Sequence, residues 1–185
     1  MAAKRIFDLF LSIIGLFLTW WIILLLIVIS RIDTGGSGIF KQRRVGQYGK
    51  LFTIYKIRSM HAVTGEISKT GKFIRKYKLD ELPQFFNILN GSMSFVGPRP
   101  DIPGYYDLLQ GEDRVILELK PGLVSRAAMK YFNEDEILAA QSNPEQYNDE
   151  VIFPDKIQMN KNYYYNRSLK EDIKILFSFI NTTLL

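Results

Sequence analysis

Two adjacent carboxylates, Asp80 and Glu81, stand just ahead of Pro83 in the run YKLDELPQFFNILNG, from Tyr77 to Gly91. Basic residues that could serve the same chemistry are Lys56, Arg75 and Arg99. An Asp carboxylate is ionised near neutral pH and can attack phosphorus, forming an acyl phosphate. Its obstacle is the negative charge of the phosphate it must approach. Arg, Lys and Mg2+ overcome that repulsion, and Mg2+ favours carboxylate oxygens together with substrate phosphates. Adjacent acids at a helix start also serve as an ordinary cap. On local grounds the pair therefore reads either as a cap or as the centre of phosphate chemistry.

The rest of the composition narrows the chemistry. The chain of 185 residues has no cysteine, which excludes a thiolate nucleophile, a disulfide scaffold and a Cys-based zinc site. His61 is the sole histidine, so a Ser-His-Asp triad or a multi-His metal site would rest on that residue alone. The net charge of +5 suits an anionic partner such as a phosphate ester or a lipid headgroup. No zinc finger, RNP or other nucleic-acid motif accompanies it, so nucleic acid is not expected as a partner.

Leu82, Phe85, Phe86 and Leu89 fall at i, i+3, i+4 and i+7, a helical stripe that Asn90-Gly91 ends. Pro83 fits only the first turn of such a helix. The helix start is therefore expected near Asp80, with Asp80 at or beside the N-cap, among free backbone N–H groups. Ile39-Phe40 and Leu51 to Tyr55 read as strands joined by a turn at Gly46 to Gly49, which makes a β-hairpin with Lys56 at a strand end. The stretch 69–78 is basic and helical, with Phe73, Ile74 and Tyr77 on it, and suits an anionic membrane surface. Arg99 lies between Pro98 and Pro100, which stiffen the backbone. That is either a preorganised phosphate-binding guanidinium or a rigid surface turn. Farther on, short helices are joined by loops. Ser168 and Glu171 form a capping box before a last helix, whose Leu169, Ile173, Leu176, Phe177 and Ile180 are expected to pack on the core, with docking to a membrane or partner as the second reading.

Residues 6–30 are apolar apart from Asp8 and a few small polar residues, with no one-sided period. As a helix they would extend about 37 Å, enough to cross a bilayer core. Lys4 and Arg5 precede the run; Arg31, Lys41, Arg43 and Arg44 follow it. A spanning helix satisfies the preference of positive charge for the cytoplasm at one end, and a re-entrant hairpin satisfies it at both. Ser12, Gly15 and Thr19 are the places where a hairpin could break.

The motifs KRIFD, GKLFTIYKIRSM, KLDELPQFFNILNGSMSFVGPRP and LKPGL strongly resemble the bacterial sugar transferases, the small monotopic phosphoglycosyl transferases. The resemblance runs from Lys4 to about Gly122 and more weakly through YYYNRSLKEDIKIL. It implies transfer of a phosphosugar from a UDP-sugar to polyprenyl (undecaprenyl) phosphate, giving polyprenyl-diphosphate sugar and UMP, as the first step of bacterial glycoconjugate synthesis. It further implies a ping-pong route through a phosphosugar on Asp80, with Glu81 as base or as a Mg2+-organising group, and phosphate-binding roles for Lys56, Arg75 and Arg99. Mg2+, held by Asp80 and Glu81, is the implied cofactor. UDP-sugar, polyprenyl phosphate, membrane lipid and, as homodimer, a second copy of the chain are the partners considered. The implied fold is mainly α with a small β-hairpin. A re-entrant membrane helix over residues 1–32 precedes a compact cytoplasmic catalytic domain over residues 33–185, with membrane-associated amphipathic helices, at the inner membrane. Two departures from the family pattern stand out. Trp20-Trp21 occupies the place of a helix-breaking Ser-Pro pair, and Phe132 stands where an arginine is common, so Arg126 or Lys130 would substitute. The competing reading is a non-catalytic, membrane-anchored protein that binds anionic lipid or an assembly partner.

Overall fold

The computed structural model describes residues 2–184. The chain is mainly helical with a small antiparallel hairpin and one long apolar N-terminal helix. It divides into two compact units, Met1–Arg44 with Leu51–Met93, and Val45–Lys50 with Ser94–Leu185.

In the first unit, helix α1 runs unbroken over Ala2–Thr34. At 1.5 Å per residue this is about 50 Å of helix. The break that a hairpin would need at Ser12, Gly15 or Thr19 is not there. The chain has no proline between residues 2 and 34 to remove a ladder hydrogen bond. Ser12 and Thr19 instead turn their hydroxyls back onto the carbonyls of Leu9 (2.9 Å) and Gly15 (2.6 Å), which bends a helix without breaking it. Most of the helix is inside out, although Ile23 and Leu26 are buried. Its buried residues include Asp8, Ser12, Ser30 and Thr34, while Ile6, Phe10, Phe17, Leu18, Trp20, Trp21, Leu24, Leu25 and Val28 face outward.

Both ends of α1 are tied to this unit. The Arg5 guanidinium donates to the carbonyls of Ile88 (2.6 Å) and Leu89 (2.8 Å). Ser30 Oγ donates to the carbonyl of Arg58 at 2.5 Å. The hairpin consists of β1 (Ile39–Val45) and β2 (Leu51–Ile57), with a tight turn between them. Helix α2 (Lys69–Lys76) has Ser68 as its cap, whose Oγ accepts from the Gly71 N–H. Helix α3 spans Gln84–Leu89. Ile23, Leu26, Ile57 and Ile74 form the core, and Leu79 and Leu82 pack against it.

The second unit contains a feature that pattern reading missed. β3 (Ser94–Val96) and β4 (Gly122–Val124) pair in parallel, with Ser94 opposite Gly122 and Val96 opposite Val124. Gly97 and Gly122 allow the two backbones to approach without side chains between them. A 3-10 helix over Gly111–Glu118 lies within the crossover between the strands. Among the described residues five α-helices follow, α4 (Arg126–Lys130), α5 (Glu134–Ala139), α6 (Pro144–Tyr147), α7 (Phe153–Asn166) and α8 (Leu169–Leu184), with a π-helical turn at Asn148–Ile152 between α6 and α7. Val45, Tyr106, Ile116, Leu117 and Ile157 make this unit's core.

The Ser168 half of the capping box forms, as the Glu171 N–H donates to Ser168 Oγ at 3.2 Å, while the Glu171 carboxylate accepts from Arg126. The expected packing face of α8 does not form. Leu169, Ile173, Phe177 and Ile180 are exposed, and Asp172 and Ile175 are buried instead. Asp172 turns inward because it accepts a 2.5 Å hydrogen bond from the buried Tyr163 hydroxyl.

Candidate functional site

The carboxylates are set by a reversal of the chain rather than by a helix cap. Helix α2 ends at Tyr77, and Lys78 adopts the left-handed conformation at φ 53, ψ 23. Such a backbone is uncommon for a residue with a side chain. It throws the chain into a 3-10 turn over Leu79–Glu81, closed by the Glu81 N–H donating to the Lys78 carbonyl at 3.1 Å. Leu79 and Leu82 anchor that turn in the core. Helix α3 starts only at Gln84, with Pro83 at its cap position. The expectation that Asp80 caps the helix is therefore corrected. The local bonds that would have let the helix begin at Asp80 are spent on the turn.

This placement costs the Asp80 carboxylate its solvent. Asp80 is 9% exposed and Glu81 7%. Asp80 Oδ1 is buried without a hydrogen-bond partner. Burial raises the Asp80 pKa from its ordinary value, and the neighbouring Glu81 charge raises it further; Lys56, Lys78 and the residue's own backbone hydrogen bond pull the other way. An N-cap carboxylate would have been shifted down, so a helix end is not what governs this group.

Lys56 is a cation that meets the pair. It sits one residue before the end of β2, where the hydrogen-bonded strand fixes its backbone. Its Nζ lies 3.3 Å from Glu81 Oε1 and 4.0 Å from Asp80 Oδ2. The structure thus brings together Lys56, Asp80 and Glu81. Arg75 stands in the last turn of α2, in the same unit. Arg99 belongs to the second unit, in the segment after β3. Sequence reasoning missed Lys78, whose left-handed backbone no Gly or Asn announced. His61 is a turn residue, its Nδ1 accepting from the N–H groups of Val63 and Thr64. Arg126 forks onto Glu171 Oε1 at 3.0 and 2.5 Å, and Lys130 binds Asp155 Oδ2 at 2.8 Å. Both substitutes for the missing arginine therefore already hold carboxylate partners.

The trio can do three things chemically. An under-solvated carboxylate oxygen is available to attack an electrophile. A lysine lies close enough to screen an approaching anion. A second carboxylate can take a proton or share a cation. Two carboxylates, one carrying an unpartnered oxygen, fit an ion such as Mg2+ that completes its shell with water and substrate phosphates. Among the described residues no three His, Cys, Asp or Glu side chains gather into a cage of protein ligands alone.

A pH dependence follows. If ionised Asp80 is the reactive form, the acidic limb of kcat/KM should lie above the ordinary carboxylate range. Lys56→Met removes a charge that lowers the Asp80 pKa, so the limb should move further towards neutral pH. A pH profile of product release in both proteins measures this, and a limb unmoved by the substitution would count against the coupling.

Comparison with known proteins gives a consistent context. The family model described as bacterial sugar transferase matches residues 1–185. The chain is 35% identical over 186 residues to the sugar transferase EpsL of Bacillus subtilis, covering 95% of this chain and 84% of that protein. It is 31% identical over 198 residues to the UDP-N-acetylgalactosamine-undecaprenyl-phosphate N-acetylgalactosaminephosphotransferase of Aeromonas hydrophila, covering 98% of this chain and 43% of that one. It is 36% identical over 143 residues to the UDP-glucose:undecaprenyl-phosphate glucose-1-phosphate transferase of Klebsiella pneumoniae, covering 69% of this chain and 30% of that one.

Proposed function

The chain belongs to the bacterial sugar transferase family, and on that premise we propose that it moves a phosphosugar from a UDP-sugar to undecaprenyl phosphate. The observation that carries this reading is the buried, partnerless Asp80 oxygen beside Glu81 and Lys56. In the first step an Asp80 oxygen attacks the sugar-bearing phosphorus of the donor. The bond from that phosphorus to the bridging oxygen breaks, and UMP leaves with the electron pair. An acyl phosphate now joins the phosphosugar to Asp80. In the second step an oxygen of the lipid phosphate attacks the same phosphorus, and the bond to Asp80 breaks. The carboxylate is restored and the polyprenyl-diphosphate sugar departs.

Each residue has a part in this. Poor solvation leaves the Asp80 carboxylate with little hydration to shed before attack. Lys56 draws the donor's phosphates towards the pair and offsets the repulsion between anions. Glu81 takes the last proton of the attacking lipid phosphate. Arg75 and Arg99 bind substrate phosphates, for which a guanidinium fork is suited. Mg2+ would be held by Asp80 and Glu81, and when bound it neutralises the donor diphosphate.

The membrane reading rests on α1. Its outward face is apolar along its length, while Arg5 near one end and Ser30 near the other bind the unit that carries the trio. We read residues 1–32 as a segment that enters the lipid and keeps both ends on the side of the trio. The basic flanks favour the cytoplasmic face of the inner membrane. The exposed apolar stripe of α8, flanked by Lys170 and Lys174, and the exposed Phe73 and Tyr77 at α2 suit helices lying at a headgroup layer. Single cysteines at Ala2 and Ser37, in a chain that has none, should react with a membrane-impermeant thiol reagent from the same side; labelling from opposite sides would overturn the topology.

The activity test uses the full chain in lipid nanodiscs with Mg2+, undecaprenyl phosphate and a panel of UDP-sugars, with UMP as the readout. Release with at least one sugar supports the reading. No release across a broad panel would favour a binding role. Without lipid acceptor, labelled phosphosugar should stay on the protein, and a trapped sample free of label would argue for direct transfer.

A further inference from the structure

We propose that Asn87 is a positioning residue that sets Lys56 against the two carboxylates by acting as a one-residue substitute for a neighbouring strand. Asn87 is 1% exposed and lies on α3, one turn beyond the Leu79–Glu81 turn and Pro83. Its amide addresses the backbone of β2 at two points. Nδ2 donates to the Thr53 carbonyl at 2.8 Å, and Oδ1 accepts from the Tyr55 N–H at 3.2 Å. These are backbone groups two residues apart, a donor and an acceptor, as a paired strand would meet them. β1 is the other strand of this two-stranded sheet.

The rest of Asn87 is held as well. Nδ2 also reaches Ser92 Oγ at 3.2 Å, that hydroxyl donates to the Asn87 carbonyl at 3.1 Å, and the same carbonyl accepts from the Met93 N–H at 3.0 Å. A buried amide with this many bonds has one orientation. Lys56 follows Tyr55 directly, so the clamp ends one residue from the cation. Its other side is α3, which the anchored turn connects to Asp80 and Glu81. The clamp therefore joins the strand that carries Lys56 to the segment that carries the acids. A carboxamide alone supplies both a donor and an acceptor at this spacing. Asp would keep the bond to Tyr55 and lose the one to Thr53. Ala would lose both and leave the Thr53 carbonyl and the Tyr55 N–H without this partner.

The catalytic meaning rests on the reading of Asp80, Glu81 and Lys56 above; the positional meaning does not. The test therefore reads geometry and turnover separately, in the full chain in nanodiscs. A zero-length carbodiimide couples Lys56 Nζ to the Glu81 carboxylate where the two are in contact, and peptide mass spectrometry quantifies the bond. Asn87→Asp and Asn87→Ala should each cut that yield several-fold and speed hydrogen exchange at Tyr55. They should also lower kcat by about 10- to 100-fold with a smaller change in the donor KM. Thermal unfolding shows whether each variant is folded, and Asn87→Asp serves if Asn87→Ala is not. A cross-link retained at its original yield in a folded variant overturns the proposal. A lost cross-link with full turnover supports the positioning and overturns the catalytic role of the trio instead.

Discussion

Asp80→Asn is expected to abolish turnover and to make the protein more stable. The loss should reach at least about 10³-fold in UMP release, since in the proposed mechanism the substitution removes the attacking oxygen anion and not merely a contact. The gain in stability follows from the direction of the Asp80 pKa. Burial and Glu81 raise it, so the folded state holds this proton at pH values where the unfolded chain has released it. Stability then falls as pH rises from the ordinary carboxylate value through the raised one. At neutral pH the folded protein carries an ionised group that it solvates poorly. Asn is close in shape and carries no charge, so the variant should melt at a higher temperature at neutral pH, and the difference should shrink in acid. Thermal unfolding of both proteins across pH, beside the UMP assay, measures the two effects. A variant that is inactive but also less stable at neutral pH would mean that Asp80 is a structural group. Full activity would sink its role as nucleophile.

Gly122→Ala should be the most disruptive small substitution in the second unit. A Cβ at Gly122 would overlap the backbone N of Gly97 and lie 2.6 Å from its Cα. Backbone cannot rotate aside as a side chain can. The two strands must part, and with them the bonds from the Gly122 N–H to the Pro98 carbonyl (2.8 Å) and from the Gly97 N–H to the Val124 carbonyl (3.1 Å). The expected cost is about 3–5 kcal/mol, in the upper range for single substitutions, and the melting temperature should fall by on the order of 10 °C. Pro98, Arg99 and Pro100 follow Gly97, so any protein that still folds should lose the set position of Arg99 and, if Arg99 has the proposed role, bind its phosphate substrate less well. An unchanged melting temperature would show that the two strands are not held as closely as this.

The elements that could be read from the sequence were those that local chemistry closes. The hairpin announced itself through Gly46 to Gly49, α2 through its spacing, the end of α3 through Asn90-Gly91, and the start of α8 through Ser168 and Glu171. Each depends on bonds between residues a few positions apart. The β3–β4 pair was illegible because three residues match three others far along the chain, Ser94 with Gly122 and Val96 with Val124 at its ends, with an irregular crossover between them. The start of α3 was misplaced because Lys78 takes a left-handed backbone that its residue type does not suggest. Asn87 looked like one polar residue within a helical stripe, and its work is visible only once β2 is beside it.

By itself the sequence determined the cast and the class of chemistry: a carboxylate pair, a set of candidate cations, no Cys and one His, a long apolar helix, and resemblance to one family. The tertiary structure decided which faces and which charges matter. It turned Asp8, Ser12, Ser30 and Thr34 of α1 inward and most of its large apolar residues outward, exposed the stripe of α8 that its spacing marked for the core, and changed Asp80 from a helix cap into a buried carboxylate facing Lys56. The physical reason is range. Helix and turn formation are settled by hydrogen bonds between near neighbours, which leave their mark in the order of residues. Burial and the electrostatic surroundings of a group are set by atoms from segments far apart in the chain, and no short stretch such as YKLDELPQFFNILNG contains them.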